Sequence, residues 1–156
     1  MHKIITLQMA DGTESDVPFA ANGATALRFR QVFGKELMQS ITNIIEHVGA
    51  KEIASLMDGL PEEFSLESLT PEQLSAVIAI VGSGEMNTVS QLAYIMNASA
   101  EHKDMRALDI ESWLDWLEKF ETMELTIHAM DFIMLYMNNR VSTSVPKKKE
   151  DLLIEK

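Results

Sequence analysis

The chain contains no cysteine. Disulfides, thiolate metal sites and a cysteine nucleophile are therefore excluded, and the composition suits a reducing compartment. Nor does it contain a long uninterrupted apolar run, so no membrane-crossing helix is expected. The opening stretch MHKIITLQMADG lacks the apolar core and small-residue cleavage site of a signal peptide, and a cytoplasmic location without membrane association is the expectation. Positive charge is scarce as well: 13 Lys and Arg stand against 24 Asp and Glu, a net charge of −11. Between Glu52 and Asp131, 16 acidic residues face only Lys103, Arg106 and Lys119. A surface of that sign repels phosphate backbones, so no nucleic-acid partner is expected.

Chemistry-bearing spacings are missing too. His2, His47, His102 and His128 are scattered, with no pair that would share a helical face for zinc. No Gly-x-Gly-x-x-Gly, Walker-type or Gly-x-Ser-x-Gly pattern occurs. Gly82-Ser83-Gly84-Glu85 comes nearest to a phosphate loop, but it follows an expected helix and has no lysine, so it reads as a helix break. Glu62-Glu63, Asp115-Glu118 and Glu121-Glu124 read as solvated carboxylates, and Asp104 to Glu111 lacks the ligand positions and glycine of a calcium loop. The chain therefore reads as a non-enzyme with no catalytic, cofactor-binding or metal-ligating residue.

What is present is helical periodicity. The expectation is a mostly α chain with a small N-terminal β-hairpin (α+β), a single helical domain of about five helices over 1–138 and a flexible tail over 139–156. Residues Lys3 to Phe19 alternate apolar and polar on either side of Asp11-Gly12, which predicts a hairpin with a type I′ turn. From Ala24 to Val48, the positions Phe33, Leu37, Ile41, Ile44 and Val48 form one stripe, widened by Ile45, and predict a single helix with Thr25 as N-cap and Gly49 just past its end. That helix is expected to be the spine of the core and the support of the hairpin. A short helical piece is expected over Lys51 to Met57 and a pinned connector over Pro61 to Leu69. Thr70-Pro71-Glu72-Gln73 then starts a helix with Leu74, Val77, Ile78 and Val81 on its inner face.

Further helices are expected with Met86, Val89, Leu92, Ala93 and Met96 inward, and, after Asp109 as N-cap, with Ile110, Trp113, Leu114, Leu117 and Phe120. Trp113 and Trp116 are neighbours on that helix and either act together as a docking patch or place one ring in the core with the other half-covering it. The last helix, Met123 to Met137, carries Met123, Ile127, Met130, Met134 and Met137 at heptad spacing. Such a methionine seam packs inside the fold or accommodates several partner helices. These seven residues, from Trp113 to Met137, are the candidate partner-binding residues. The 11 methionines of the chain suit cores and adaptable surfaces alike.

The order of features resembles a tail assembly chaperone of long-tailed, siphophage-type bacteriophages of Gram-positive hosts. The resemblance is carried by the Asp-Gly hairpin, then Ala24-Thr-Ala-Leu-Arg-Phe-Arg-Gln-Val-Phe-Gly-Lys-Glu-Leu37, Leu92-Ala93-Tyr94-Ile95-Met96, Ile110-Glu111-Ser112-Trp113-Leu114, and a last helix leading to Lys147-Lys148-Lys149. It implies a non-enzymatic factor that binds the tape measure protein, keeps it soluble and recruits tail-tube protein. It further implies action in the cytoplasm of an infected or lysogenic bacterium, absence from the mature virion, and partnership with a longer frameshifted form of itself, with a homo-oligomer also open. A helical adaptor that binds a host protein is the alternative. The frameshift has a direct check: the codons for Pro146 to Glu150 are expected to contain a heptameric slippery run with an open −1 frame beyond it.

Overall fold

A helix buried on every side depends on its neighbours for partners to its polar groups, and this dependence organises the fold. In the computed structural model, which describes residues 2–48 and 71–144, every residue from Thr88 to Ala98 in the helix Met86–Ala100 is buried. Most of its polar side chains are bonded within the fold, with Gln91 Oε1 left without a partner. Ser90 Oγ donates to the Asn87 carbonyl, and Thr88 Oγ1 accepts from Lys35 Nζ at 2.9 Å. Asn97 Nδ2 donates to the Pro18 carbonyl at 2.9 Å, while Asn97 Oδ1 accepts from Trp116 Nε1 at 3.1 Å.

Around this helix, α4, the other elements follow in chain order: β1 (His2–Gln8), β2 (Glu14–Ala20), α1 (Thr25–Phe33), α2 (Leu37–His47), α3 (Pro71–Gly82), then α5 (Ile110–Leu117), α6 (Glu124–Ile127) and α7 (Ala129–Ser144). Among the described residues this is a mostly α chain with one N-terminal hairpin, as the periodicities predict. One hydrophobic cluster runs through it from Ile5 to Tyr136.

The strands pair antiparallel with Leu7 opposite Ser15 and Ile5 opposite Val17. Ile5, Leu7, Val17 and Phe19 face inward, as the alternation requires. The hairpin lies on α4, not on the Ala24-to-Val48 segment as expected, and Phe19 meets Phe132 of α7 edge-on at 4.8 Å. The turn also differs. The Gly12 N–H donates to the Met9 carbonyl and the Met9 N–H to the Thr13 carbonyl, with Gly12 at φ 88° and Asp11 outside the left-handed region. A three-residue loop of this kind needs one left-handed residue, whereas a type I′ turn needs two. Gly12 supplies it, and Asp11 instead accepts from the Thr13 N–H and hydroxyl.

The segment Ala24 to Val48 is two helices. Gly34, at φ 68°, ends α1 by donating its N–H to the Arg30 carbonyl, and α2 restarts at Leu37. Thr25 is the first helical residue and not the cap, its hydroxyl accepting from the Asn22 N–H. Leu37, Ile41, Ile44 and Val48 are buried as the stripe requires, but Ile45 faces outward. In α3 the inner face is Ala76, Val77 and Ile80. Leu74, Ile78 and Val81, expected inward beside Val77, are 39, 62 and 41% exposed among the described residues. Because α3 is apolar on nearly every side, its period cannot choose a face. Gly82-Ser83-Gly84 breaks the chain as expected, with Gly84 at φ 78°.

Asp109 caps α5, its carboxylate accepting from the Ser112 N–H at 2.8 Å. The expected Met123-to-Met137 helix is interrupted at His128, which closes α6, and α7 then runs to Ser144, past the expected boundary at Asn138. The expected features over 49–70, among them Gly49, the Lys51-to-Met57 piece and the Thr70 cap, lie outside the described residues, as does the tail from 145 onward.

Asn97 is the polar tie between hairpin, central helix and α5. Replacing it by alanine strands the buried Trp116 N–H, and Asn97→Ala is expected to lower unfolding stability by about 2–4 kcal/mol. The check is a fall in the urea midpoint at unchanged slope, with Gln39→Ala, which loses only a surface hydrogen bond to Asn43, close to the parent.

Candidate functional site

The tip of the hairpin shapes the segment between α5 and α6. The Ala10 N–H donates to the Lys119 carbonyl at 2.9 Å and the Glu121 N–H to the Gln8 carbonyl at 3.0 Å, with Met9 bridged to Phe120. Held in this way, residues 118–123 stand away from the first turn of α4 and leave a groove of about 590 Å³. Its floor is Phe120 and Leu125, and its walls are Met86 of α4, Leu114 and Leu117 of α5, and Met123. The ionisable side chains in the lining are Glu118 and Glu121; no basic residue contributes.

The groove continues along the outer side of α5. Ile110, 52% exposed, Leu114, 39% exposed, and the half-buried Leu117 follow one another at i, i+4 and i+7. Next to them Glu111, Asp115 and Glu118, all exposed, repeat the spacing about 100° round the helix. An apolar row beside an acidic row is what remains after Trp113 and Trp116 take the inner side.

The seven candidate residues are thus separated. Trp113 is buried against Phe33, with ring centroids 5.5 Å apart, and Trp116 lies between Tyr94 and Phe120 at 5.5 and 4.7 Å. Both rings are buried, so the docking patch does not describe them, and neither does one ring half-covering the other. Ile127 packs with Val77, Met130 is buried, and Met134 and Met137 are half-buried against the core. This seam packs inside the fold. Of the seven, Met123 alone lines the groove, in the left-handed region at φ 71°, a conformation that is uncommon for a side chain of this kind. Met86, Leu114 and Leu117 had been assigned to inner helix faces. The signal for a second surface was the apolar content of Ile110–Leu117, which has more large side chains than one face of eight residues can bury.

Beneath Met123 lies a polar latch. Glu124, buried at the start of α6, accepts from the Gln8 N–H at 2.7 Å and has its other oxygen 3.9 Å from His128 Nε2. His128 Nδ1 lies 3.0 Å from Asp131 Oδ2, and Asp131 Oδ1 accepts from Lys3 Nζ at 3.1 Å. Both ends of β1 are thereby tied to the α6–α7 corner. Burial raises the Glu124 carboxyl above its ordinary value, against the opposing Gln8 hydrogen bond and the His128 charge. At Asp131 burial also pushes upward, but the hydrogen bonds from His128 and Lys3 and their charges outweigh it and hold the carboxyl low.

Among the described residues no group of three or more His, Asp or Glu is placed to hold a metal ion, and no helix is long and apolar enough to cross a membrane. No protein family, curated protein or solved structure matches the chain.

The two carboxyls of the latch give opposite pH dependences. A raised folded pKa at Glu124 gives stability that is full below the unfolded value of 4.5 and is lost as pH rises through the folded value. Glu124→Gln, which cannot ionise, is therefore expected to gain on the parent in urea midpoint as pH rises from below 4.5 through the raised folded value. The depressed Asp131 stabilises above its unfolded value of 3.8, and this is lost as pH falls through the lower folded value. Asp131→Asn is accordingly expected to be weaker than the parent at neutral pH and to converge on it in acid.

Proposed function

We propose that this chain is a tail assembly chaperone of a long-tailed bacteriophage, a non-enzymatic protein that binds the tape measure protein and keeps its apolar helices soluble until tail-tube protein assembles around them. It acts in the cytoplasm of the bacterial host, alongside a longer frameshifted form of itself, and is left out of the finished virion. What supports this function is the methionine-walled groove at the end of α5. Met86 and Met123 offer flexible thioethers at its two sides, and such walls accept helices of varied sequence. A tape measure with many helical segments would need a receptor of that tolerance. The ordered likeness from the hairpin through Ile110-Glu111-Ser112-Trp113-Leu114 supports the tape measure protein as the partner, and the acidic surface favours solubility of the complex.

Co-expression tests the proposal. A tape-measure fragment that is insoluble alone is expected to become soluble and to co-purify with this chain. A fragment that stays in the pellet at equal expression, with the chain itself soluble, would overturn it.

A further inference from the structure

The groove and the outer side of α5 form one continuous surface, and its chemistry narrows what can lie there. The apolar row Ile110, Leu114 and Leu117 spans about 10 Å along the helix axis and opens into the groove between Met86 and Met123. About three turns of a partner helix would cover both. The charges beside the row are acidic, Glu111, Asp115 and Glu118 on α5 and Glu121 in the groove lining, while Lys103 and Lys119 lie beyond Asp115 on its other side. Two copies meeting by this face about a two-fold axis would set these carboxylates against one another. An acidic or uncharged apolar helix would leave them without counter-charges. A helix with lysine or arginine on both sides of its apolar stripe pairs with them while its stripe covers Leu114.

We infer that the α5 surface is a docking site for an amphipathic helix whose apolar stripe is flanked by basic side chains, with one large apolar residue seated between Met86 and Met123. The inference rests on the binding function proposed above and specifies the segment that is bound. The acidic row selects the partner and the groove anchors it, because exposed charges steer and discriminate while the desolvated apolar centre holds. Leu114, 39% exposed, lies about 100° or more round the helix from Trp113 and Trp116, so its replacement leaves their packing in place, whereas Leu117 also packs against the core.

Two synthetic 18-residue helical peptides with the same leucine stripe, one flanked by lysine and the other by glutamate, serve as probes for fluorescence anisotropy titration of the full chain. The lysine peptide is expected to bind about tenfold or more tightly than the glutamate peptide at low salt, and the gap is expected to close as salt screens the rim. Leu114→Asp is expected to weaken the lysine peptide about tenfold or more. The double variant Glu118→Lys with Glu121→Lys, which leaves two rim charges of each sign, is expected to remove the preference while both peptides still bind, an outcome that loss of fold would not produce. Equal binding of the two peptides to the parent, or a preference unchanged in the double variant, would sink the inference. So would loss of binding in Ile78→Asp with Leu114→Asp unaffected, which would move the site to α3. Two further results would assign the surface to another occupant and overturn it: a dimer dissolved by Leu114→Asp, which would point to a second copy, and tighter peptide binding after removal of residues 145–156, which would point to the chain's own end. A tape-measure fragment kept soluble by the Leu114→Asp variant would leave the chaperone function standing without this site; peptide binding as expected, with no effect on the fragment, would do the reverse.

Discussion

Burial of α4 on all sides is the constraint from which the other placements follow. A helix with no wet face must find partners inside the fold for most of its polar side chains, Gln91 Oε1 being left without one, and Asn97 sits where satisfaction requires two separate elements at once. Its amide reaches the Pro18 carbonyl of β2 and the Trp116 indole of α5, so hairpin and tryptophan helix are fixed on either side of one residue. Pro18 itself suits this position, since it has no N–H to give a ladder and its carbonyl is free to face α4. The aromatic contacts around Trp116 then follow from the hydrogen bond that orients its ring.

That constraint also explains what the sequence could reveal. Strand alternation at Ile5, Leu7, Val17 and Phe19 and the stripe Leu37, Ile41, Ile44 and Val48 were legible because each element buries one face, and a one-faced element writes its period plainly. α4 and α3 are apolar on most sides, and a period that is nearly everywhere satisfied identifies no direction. The expected spine was therefore placed in the segment with the cleanest stripe, whereas the central helix is the one whose stripe is diluted by apolar residues all round. Local backbone devices were the other blind spot. Gly34 in Phe33-Gly34-Lys35 was legible as a family likeness but not as a break, because a lone glycine within a helical pattern is compatible with either outcome.

The candidate site was hidden for a related reason. Trp113 and Trp116 invite attention as docking residues, yet aromatic mass at helical spacing is first of all what a core uses. The exposed side of α5 is built of commoner residues, Ile110, Leu114 and Leu117, which a one-face reading assigns to the interior together with the tryptophans. Only the placement of the hairpin tip against Phe120 and Lys119 separates the two sides. The groove is thus a tertiary product: β1 and its turn hold the 118–123 segment away from α4, and no local spacing encodes that distance.

Beside that tip a strained residue and a buried carboxylate adjoin. Met123 lies in the left-handed region, and the buried Glu124 that follows it is bonded to Gln8 of β1. Both features cost folding free energy, the first through backbone sterics and the second through desolvation, and neither is needed to close the core at Ile127. Their joint effect is to turn the Met123 side chain into the groove, where it forms one wall and also packs against Val77 and Ile127. A relaxed helix running from Met123 to Met137 would have kept the heptad seam continuous. The break at His128, with strain just ahead of it, instead spends Met123 on the surface while Ile127 and Met130 remain inside. Backbone strain next to a buried carboxylate at the wall of an apolar groove is what a binding surface maintained against the folding optimum would look like.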